Sequence, residues 1–268
     1  MKCAILMSGN ARSFGGITPP GYVDGLPNQD VGRPWARECF ANQHWYLYRQ
    51  LERVYGGIEF FVSLANDGEA HEVEPLLLKY YPGAQVHLEI VKQPTLPEPP
   101  RASTFHSAYP ISSPFQSILR DLWHRERVWG FYGEQADERA DVVVRMRPDL
   151  FFQTLFLPKA IAEWDCWTPF WGSFGGVSDR FAIMGANAAA HYFNAFSWVD
   201  ELLAQGCPMH PETLTCEALN LYPQINIRRT LCAVFTTLRR DGSIVFNKID
   251  ESCLSYLQSG IEAVALTE

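Results

Sequence analysis

Apolar positions along the chain follow two periods, short aliphatic runs and longer stretches at helical spacing. Cys3-Ala4-Ile5-Leu6-Met7, Ile58-Glu59-Phe60-Phe61-Val62-Ser63-Leu64 and the segment from Gln85 to Lys92 each predict a strand, being short apolar runs bounded by turn residues. Between them, Phe40, Leu47, Tyr48, Leu51 and Val54 predict a helix from Trp35 to Tyr55 that stops at Gly56-Gly57. Val73, Leu76, Leu77 and Tyr80 predict a second, started near Asn66-Asp67 and ended by Pro82-Gly83. Strand, helix, strand, helix, strand with short links predicts right-handed parallel crossovers, the start of a doubly wound α/β sheet flanked by helices. Phe115, Ile118, Leu119, Leu122, Trp123 and Trp129 then give a wide apolar face to a helix from Phe115 to Tyr132, with Gly130 or Gly133 near its end.

That helix delivers the chain to Val142-Val143-Val144-Arg145-Met146-Arg147-Pro148-Asp149-Leu150-Phe151-Phe152. The β-branched run predicts a buried strand, and Pro148 keeps the charged cluster from continuing as helix. Open α/β sheets bind ligands outside the carboxyl ends of their strands, so Arg145, Arg147 and Asp149 are candidates to face a charged ligand. The alternative is an Arg–Asp pair that only ties down a strand end. A second candidate is the loop Ser8-Gly9-Asn10-Ala11-Arg12-Ser13-Phe14: small residues let a ligand approach backbone N–H groups, and Arg12 suits phosphate or base edges. A tight turn with a solvated arginine is the competing reading. Glycines at 9, 15 and 16 make no GxGxxG, and no GK[ST] follows, so neither the dinucleotide fingerprint nor the P-loop applies.

Residues 17–34 are rich in Gly and Pro and predict a surface excursion, and the Pro-rich loop 93–114 predicts a functional loop or lid. Gln116, in the first turn of its helix, either faces the crevice or is solvated. The aromatics from Trp164 to Trp171, beside the loop Gly172 to Arg180 and the strand Phe181 to Met184, suit a sugar platform with Asp179 taking hydroxyls, or plain core. Asn187 predicts the cap of a helix through Leu203. Met209-His210-Pro211-Glu212-Thr213 opens another, with Pro in its first turn and Glu212 beside the positive N-terminus. That placement predicts an ionised carboxylate, fit for a helix start or a general base. Ile225 to Arg229 and Ala233 to Leu238 predict strands, and Arg239-Arg240-Asp241-Gly242 a basic turn whose arginines suit a diphosphate.

Composition narrows the classes. A chain of 268 residues, 47% hydrophobic, suits one globular α/β domain or a domain with a small appendage, read in two halves, 1–150 and 151–268. A net charge of -8 without a Lys/Arg block argues against a protein that mainly grips nucleic acid or anionic membrane. The N-terminal apolar run is too short for a signal peptide and no segment is long enough to span a bilayer, which predicts a cytoplasmic protein with no transmembrane segment. Cysteines at seven positions with no CxxC pair predict reduced core thiols.

The segments "LMSGNARSF", "CFANQHWYLYRQL", "IEFFVSL", "SPFQSILRDLW", "DVVVRMRPDLFF", "GGVSDRFAIMG", "HPETL" and "LRRDG", in that order, resemble a group of bacterial and viral proteins regarded as GT-A-like glycosyltransferases. The likeness covers most of the chain. It implies a Rossmann-type, mostly parallel sheet and an enzyme that moves a sugar from a UDP or GDP sugar to a glycan or lipid-linked acceptor. Ser8, Gly9, Asn10, Arg12, Gln116, Arg145, Arg147, Asp149 and Arg239 are then candidate donor contacts. Glu212 resembles the carboxylate that inverting GT-A enzymes carry near a helix N-terminus, so it is the first candidate base and Asp179 the second; a retaining reaction needs no such base. Asp149 would stand where GT-A enzymes place a DxD metal ligand for Mn²⁺ or Mg²⁺. The chain departs from that pattern, since Arg147 and Phe151 flank Asp149 at two residues and no His follows His210. Arginines neutralising the diphosphate without a metal are the alternative. The rival from another class is a catalytically silent nucleotide- or carbohydrate-binding protein. A sulfotransferase or NAD-dependent dehydrogenase is disfavoured by the missing phosphate-binding and glycine fingerprints.

Overall fold

β1 (Cys3–Asn10) lies inside a seven-stranded sheet of a computed structural model that describes residues 1–10, 39–66, 73–96, 115–171, 173, 175–230, 232–238 and 244–245. Arg12, the 17–34 excursion, residues 97–114 of the proline segment and the basic turn at Arg239 lie outside the described residues. β1 runs parallel to β2 (Ile58–Ala65) on one side, with Cys3 level with Ile58, and to β4 (Val142–Met146) on the other, with Cys3 level with Val142. β3 (Gln85–Val91) extends the parallel set beyond β2. Past β4 comes β7 (Phe181–Gly185), antiparallel to it, then β6 (Asp165–Pro169) and β8 (Asn226–Thr230), which pair in parallel. The order is β3-β2-β1-β4-β7-β6-β8. This is an α/β fold with a mostly parallel sheet flanked by helices, and strands from both sides of residue 150 share the sheet.

The side-chain alternation of β1 sends Cys3, Ile5 and Met7 to one face and Ala4 and Leu6 to the other, as a strand buried on both sides requires. The first face packs against Leu47, α1 (Arg49–Tyr55) and α2 (Val73–Tyr80). Against the second lie Val128, Phe131 and Tyr132 of α3 (Phe115–Gln135) and Ala188, Ala189, Tyr192 and Phe193 of α4 (Ala186–Phe193). The first half of α3, through Ile118, Leu119 and Leu122, packs on α5 (Val199–Ala204) and α6 (Pro211–Asn220). Among the described residues no helix is long and apolar enough to cross a membrane, and six cysteines are free thiols.

Local rules gave way in three places and held at a fourth: β4 stops at the charged cluster, at Met146, and β5 (Leu150–Leu155) joins a second, three-stranded sheet with β9 (Ala233–Leu238) and β10 (Ile244–Val245). Pro148 has no N–H for a ladder, and the Arg147 N–H donates to the Arg180 carbonyl at 3.1 Å. The helix predicted to start at Trp35 contains a π-helical turn at His44–Tyr48, which leaves Trp45 exposed and Leu47 buried. α3 passes Gly130 and Gly133 and ends at Gln135; each glycine costs about 1 kcal/mol against alanine, offset by burial of Val128, Phe131 and Tyr132. The helix predicted from Asn187 to Leu203 is broken by a 3-10 turn at Asn194–Trp198. Glu126 of α3 accepts both the N–H and the hydroxyl of Ser197, at 3.0 and 2.9 Å, and takes that N–H out of a helical ladder. Asn187 is not the cap, because its side-chain amide donates to Glu163 at 2.9 Å.

Candidate functional site

β4 carries Val142, Val143, Val144, Arg145 and Met146, all buried, so a guanidinium enters a strand covered on both faces. Arg145 donates through Nη1 to Ser8 Oγ at 3.0 Å and to the Met146 carbonyl at 3.1 Å, and through Nε to the Asp179 carbonyl at 3.4 Å. Its Nη2 lies 3.8 Å from Asp121 Oδ1. Burial pulls its pKa down and Asp121 opposes that pull. Arg145 therefore binds the carboxyl ends of β1 and β4 to α3 and to the loop that enters β7. Ser8 is brought to the site, but as a partner of Arg145.

Where the chain crosses between sheets, Arg147 grips Asp149 through two hydrogen bonds, Nε to Oδ1 at 3.0 Å and Nη2 to Oδ2 at 2.7 Å, the planar fork that carboxylates favour. Burial disfavours the charge on Arg147, but Asp149 outweighs it and raises its pKa. Two buried amides that sequence reasoning missed hold this crossing. Gln43 donates to the carbonyls of Pro148 and Leu150, both at 2.8 Å, and Asn42 exchanges two hydrogen bonds with the Phe152 backbone, at 2.8 and 2.6 Å. A polar Asn-Gln pair among the apolar positions of a helix was the signal available.

Sequence reasoning also missed Asp121 and Arg125. They stand four residues apart on α3, and Arg125 falls on the apolar stripe of Ile118 and Leu122, which is where a buried cation could have been suspected. Arg125 is fully buried; its Nε lies 3.3 Å from Asp121 Oδ2, its Nη1 donates to Thr215 Oγ1 at 2.9 Å, and its guanidinium lies 5.4 Å from the centroid of the Tyr192 ring.

Asp179 and Glu212 meet this cluster from the other side, both buried. The Val177 N–H donates to the Glu212 carbonyl at 3.0 Å, and a β-carbon at Gly176 would run into that carbonyl, so the glycine is what lets loop and helix start approach. Arg180 Nε lies 3.6 Å from Asp179 Oδ1. His210 Nε2 is 3.3 Å from Glu212 Oε2, and its Nδ1 is 3.1 Å from Thr213 Oγ1. Burial would raise the pKa of Asp179, but Arg180, Arg147, Arg125 and Arg145 together lower it. Glu212 goes the opposite way, pushed well above an ordinary carboxyl by burial and then by the charge of Asp179. The ionised Glu212 expected from its helix N-terminus is thus corrected: the first-turn dipole is weaker than desolvation plus a like charge. His210 is lowered by burial, with Asp179 opposing.

Buried charged atoms at the cluster are left without hydrogen-bond partners among the described residues: Asp121 Oδ2, Arg125 Nη2, Arg145 Nη2, Arg180 Nη1, Asp179 Oδ1 and Glu212 Oε2. Such atoms cost free energy and mark a place where polar ligand atoms are favoured.

Other expected residues lie elsewhere. The Gln116 amide donates to the Leu96 carbonyl at 3.1 Å and ties α3 to the segment after β3. Asn10 ends β1, with Gly9 before it at φ +145, a backbone that favours glycine. The aromatic stretch packs against the fold at three of its rings. Trp171 is buried against Phe235 and donates to the Ala233 carbonyl at 2.8 Å, Trp164 stacks on His191 and Trp167 carries Arg228, so those faces are taken. At Asp149 both oxygens accept from Arg147, and among the described residues no three His, Cys, Asp or Glu side chains group to hold an ion. A hard divalent cation wants several oxygen ligands, and these residues do not supply them.

No family model matches the chain, and no curated protein matches it. Among solved structures, it is similar to a nucleoside-diphosphate-sugar pyrophosphorylase from Vibrio cholerae RC9, at 11% identity and a TM-score of 0.42, over 85% of this chain and 90% of that one. It is also similar to mouse xyloside xylosyltransferase 1 in its apo form, at 10% identity and a TM-score of 0.40, over 87% of this chain and 86% of that one. Likenesses this distant carry no functional argument, and the functional reading stands on the site's own residues.

Proposed function

We propose that the chain is a nucleotide-sugar-dependent enzyme, and within that class a glycosyltransferase that moves a sugar from a UDP- or GDP-linked donor to a hydroxyl of a glycan or lipid-linked acceptor. One observation carries this reading: the guanidiniums of Arg125, Arg145, Arg147 and Arg180 gather around Asp179 at the carboxyl end of the sheet, with buried N–H groups that have no hydrogen-bond partner among the described residues. Four guanidiniums face the carboxylates of Asp121, Asp149 and Asp179, while burial and the charge of Asp179 disfavour a further negative charge on Glu212. The remaining positive charge favours an anion, and charge-assisted hydrogen bonds in a dry site stabilise a departing diphosphate. Metal-independent transfer is the version we favour, because Arg147 occupies Asp149 and arginines take a cation's place.

For inverting transfer, Glu212 takes the acceptor proton. Its raised pKa gives it a strong pull on that proton once ionised, at the cost of being ionised in a smaller fraction of molecules. Asp179, held low by its arginines, is the weaker base and the better ligand for sugar hydroxyls. The test incubates purified protein with UDP and GDP sugars and glycan acceptors, with Mn²⁺ or with EDTA, and follows nucleoside diphosphate release and sugar transfer. Turnover of one donor class that survives EDTA and is lost in Glu212→Gln supports the proposal; no release from any donor overturns it. One observation favours a second reading, a silent nucleotide-binding protein: the arginines lower the pKa of Asp179, which weakens it as a base, and burial raises that of Glu212, which disfavours its ionised form.

A further inference from the structure

Thr215 lies one turn into α6 from Pro211, whose carbonyl accepts its hydroxyl at 2.7 Å, while Thr215 Oγ1 in turn accepts from Arg125 Nη1 at 2.9 Å. Arg125 is paired with Asp121 at 3.3 Å, and Asp121 reaches Arg145 at 3.8 Å. One chain of contacts, buried except at the partly exposed Asp121, therefore runs from Ser8 near the end of β1, through Arg145, Asp121 and Arg125, to the first turn of α6, where Glu212 stands. We infer that Asp121, Arg125 and Thr215 are positioning residues that fix the first turn of α6, and with it the Glu212 carboxyl, against the arginine cluster at the strand ends. The inference rests on the glycosyltransferase reading for its catalytic meaning and on geometry for its substance. A guanidinium fits this role because its planar fork holds two acceptors in fixed directions, which an ammonium does not. Packing alone could join α3 to α6, through Leu119, Leu122, Leu214 and Ala218. The network adds a direction and a depth for one carboxyl.

Glu212 faces Asp179 and Arg180 from the loop before β7, Asp121 from α3 and His210 from its own entry turn. Its titration therefore reports its place in the cluster. The experiment uses the full chain with ¹³C-labelled glutamate carboxyls, the Glu212 signal assigned by its loss in Glu212→Gln. Thr215→Val keeps the volume and removes the hydroxyl; Thr215→Ser keeps the hydroxyl. The inference expects Thr215→Val to free the turn toward solvent, lower the Glu212 midpoint by about half a pH unit or more, and cut turnover at least about tenfold with donor affinity unchanged, while Thr215→Ser restores both. A midpoint unchanged or raised in Thr215→Val overturns it, even if the melting temperature falls. A midpoint that moves as expected in a protein that turns over no nucleotide sugar upholds the positioning and sinks the glycosyltransferase reading instead.

Discussion

At the amino end of the sheet Lys2 Nζ meets Glu138 at 2.9 Å and the Lys2 N–H meets Asp141 at 2.7 Å, in side chains about half exposed or more. At the carboxyl end Arg145 and Arg125 are fully buried, share the single carboxylate of Asp121, and have donor atoms without hydrogen-bond partners among the described residues. The first set is satisfied and wet, which is how ordinary surface pairs stand, and removing one member should leave little trace. The second is under-satisfied and dry, an arrangement that is retained only where something compensates its cost. The difference separates charges that trim a surface from charges that, on the proposed reading, take the diphosphate. The same contrast recurs within α3: Arg127 is chelated by Glu89 and Glu134 at the rim, whereas Arg125, two residues earlier, faces inward.

The largest expected effect is at Glu212. Glu212→Gln should cut turnover by about 10²–10⁴ and leave donor affinity nearly unchanged, the pattern of a group that acts in the transition state. Loss of donor affinity with kcat intact would move Glu212 from base to binding residue. Next, Arg145→Ala should destabilise the fold by about 3–5 kcal/mol in denaturant unfolding, because Asp121 and the Ser8 hydroxyl lose their buried partner. Glu138→Gln at the other end should leave the melting temperature unchanged, and a comparable fall in both variants would erase the contrast.

A smaller effect is expected from Asp179→Asn. Removing a like charge beside Glu212 lowers the Glu212 pKa, so the acid limb of the pH–rate profile should move to lower pH; a limb that stays put detaches Asp179 from the base. The smallest is in stability against pH. The proton that Glu212 holds in the folded state contributes stability that is fully present below its ordinary value of 4.5 and is lost as pH rises through its raised folded value. Glu212→Gln should therefore melt higher than the parent chain at neutral pH, with the gap closing toward pH 4.5.

The parallel half of the sheet was legible because β1 and β2 are runs of residues buried together and β3 is a short apolar run, each bounded by turn residues. Arg145 at a strand end and Glu212 at a helix start were legible for the same reason: both follow from a local boundary. What escaped was set by distant elements. Arg125 on an apolar stripe means little until Thr215 and Asp121 stand beside it, and Asn42 and Gln43 read as ordinary helix residues until the Pro148 crossing needs acceptors filled. The break at Ser197 is made by Glu126, 71 residues away in sequence. Glu212 was misjudged in charge because the helix dipole can be read from sequence, while burial and the approach of Asp179 arise only in the fold.

The central claim is that the buried arginine cluster takes a nucleoside diphosphate. Its most direct test is a thermal-shift series on the purified chain with UDP, GDP, CMP and dTDP, each with and without Mn²⁺, in parallel with Arg147→Met. A ligand at about 100 times its dissociation constant adds about 2.7 kcal/mol, which for a chain of this size is a rise of about 5 °C or more. The account predicts that rise for UDP or GDP, without need of Mn²⁺, and its loss in Arg147→Met. No rise with any nucleotide, or an equal rise in the variant, would contradict it.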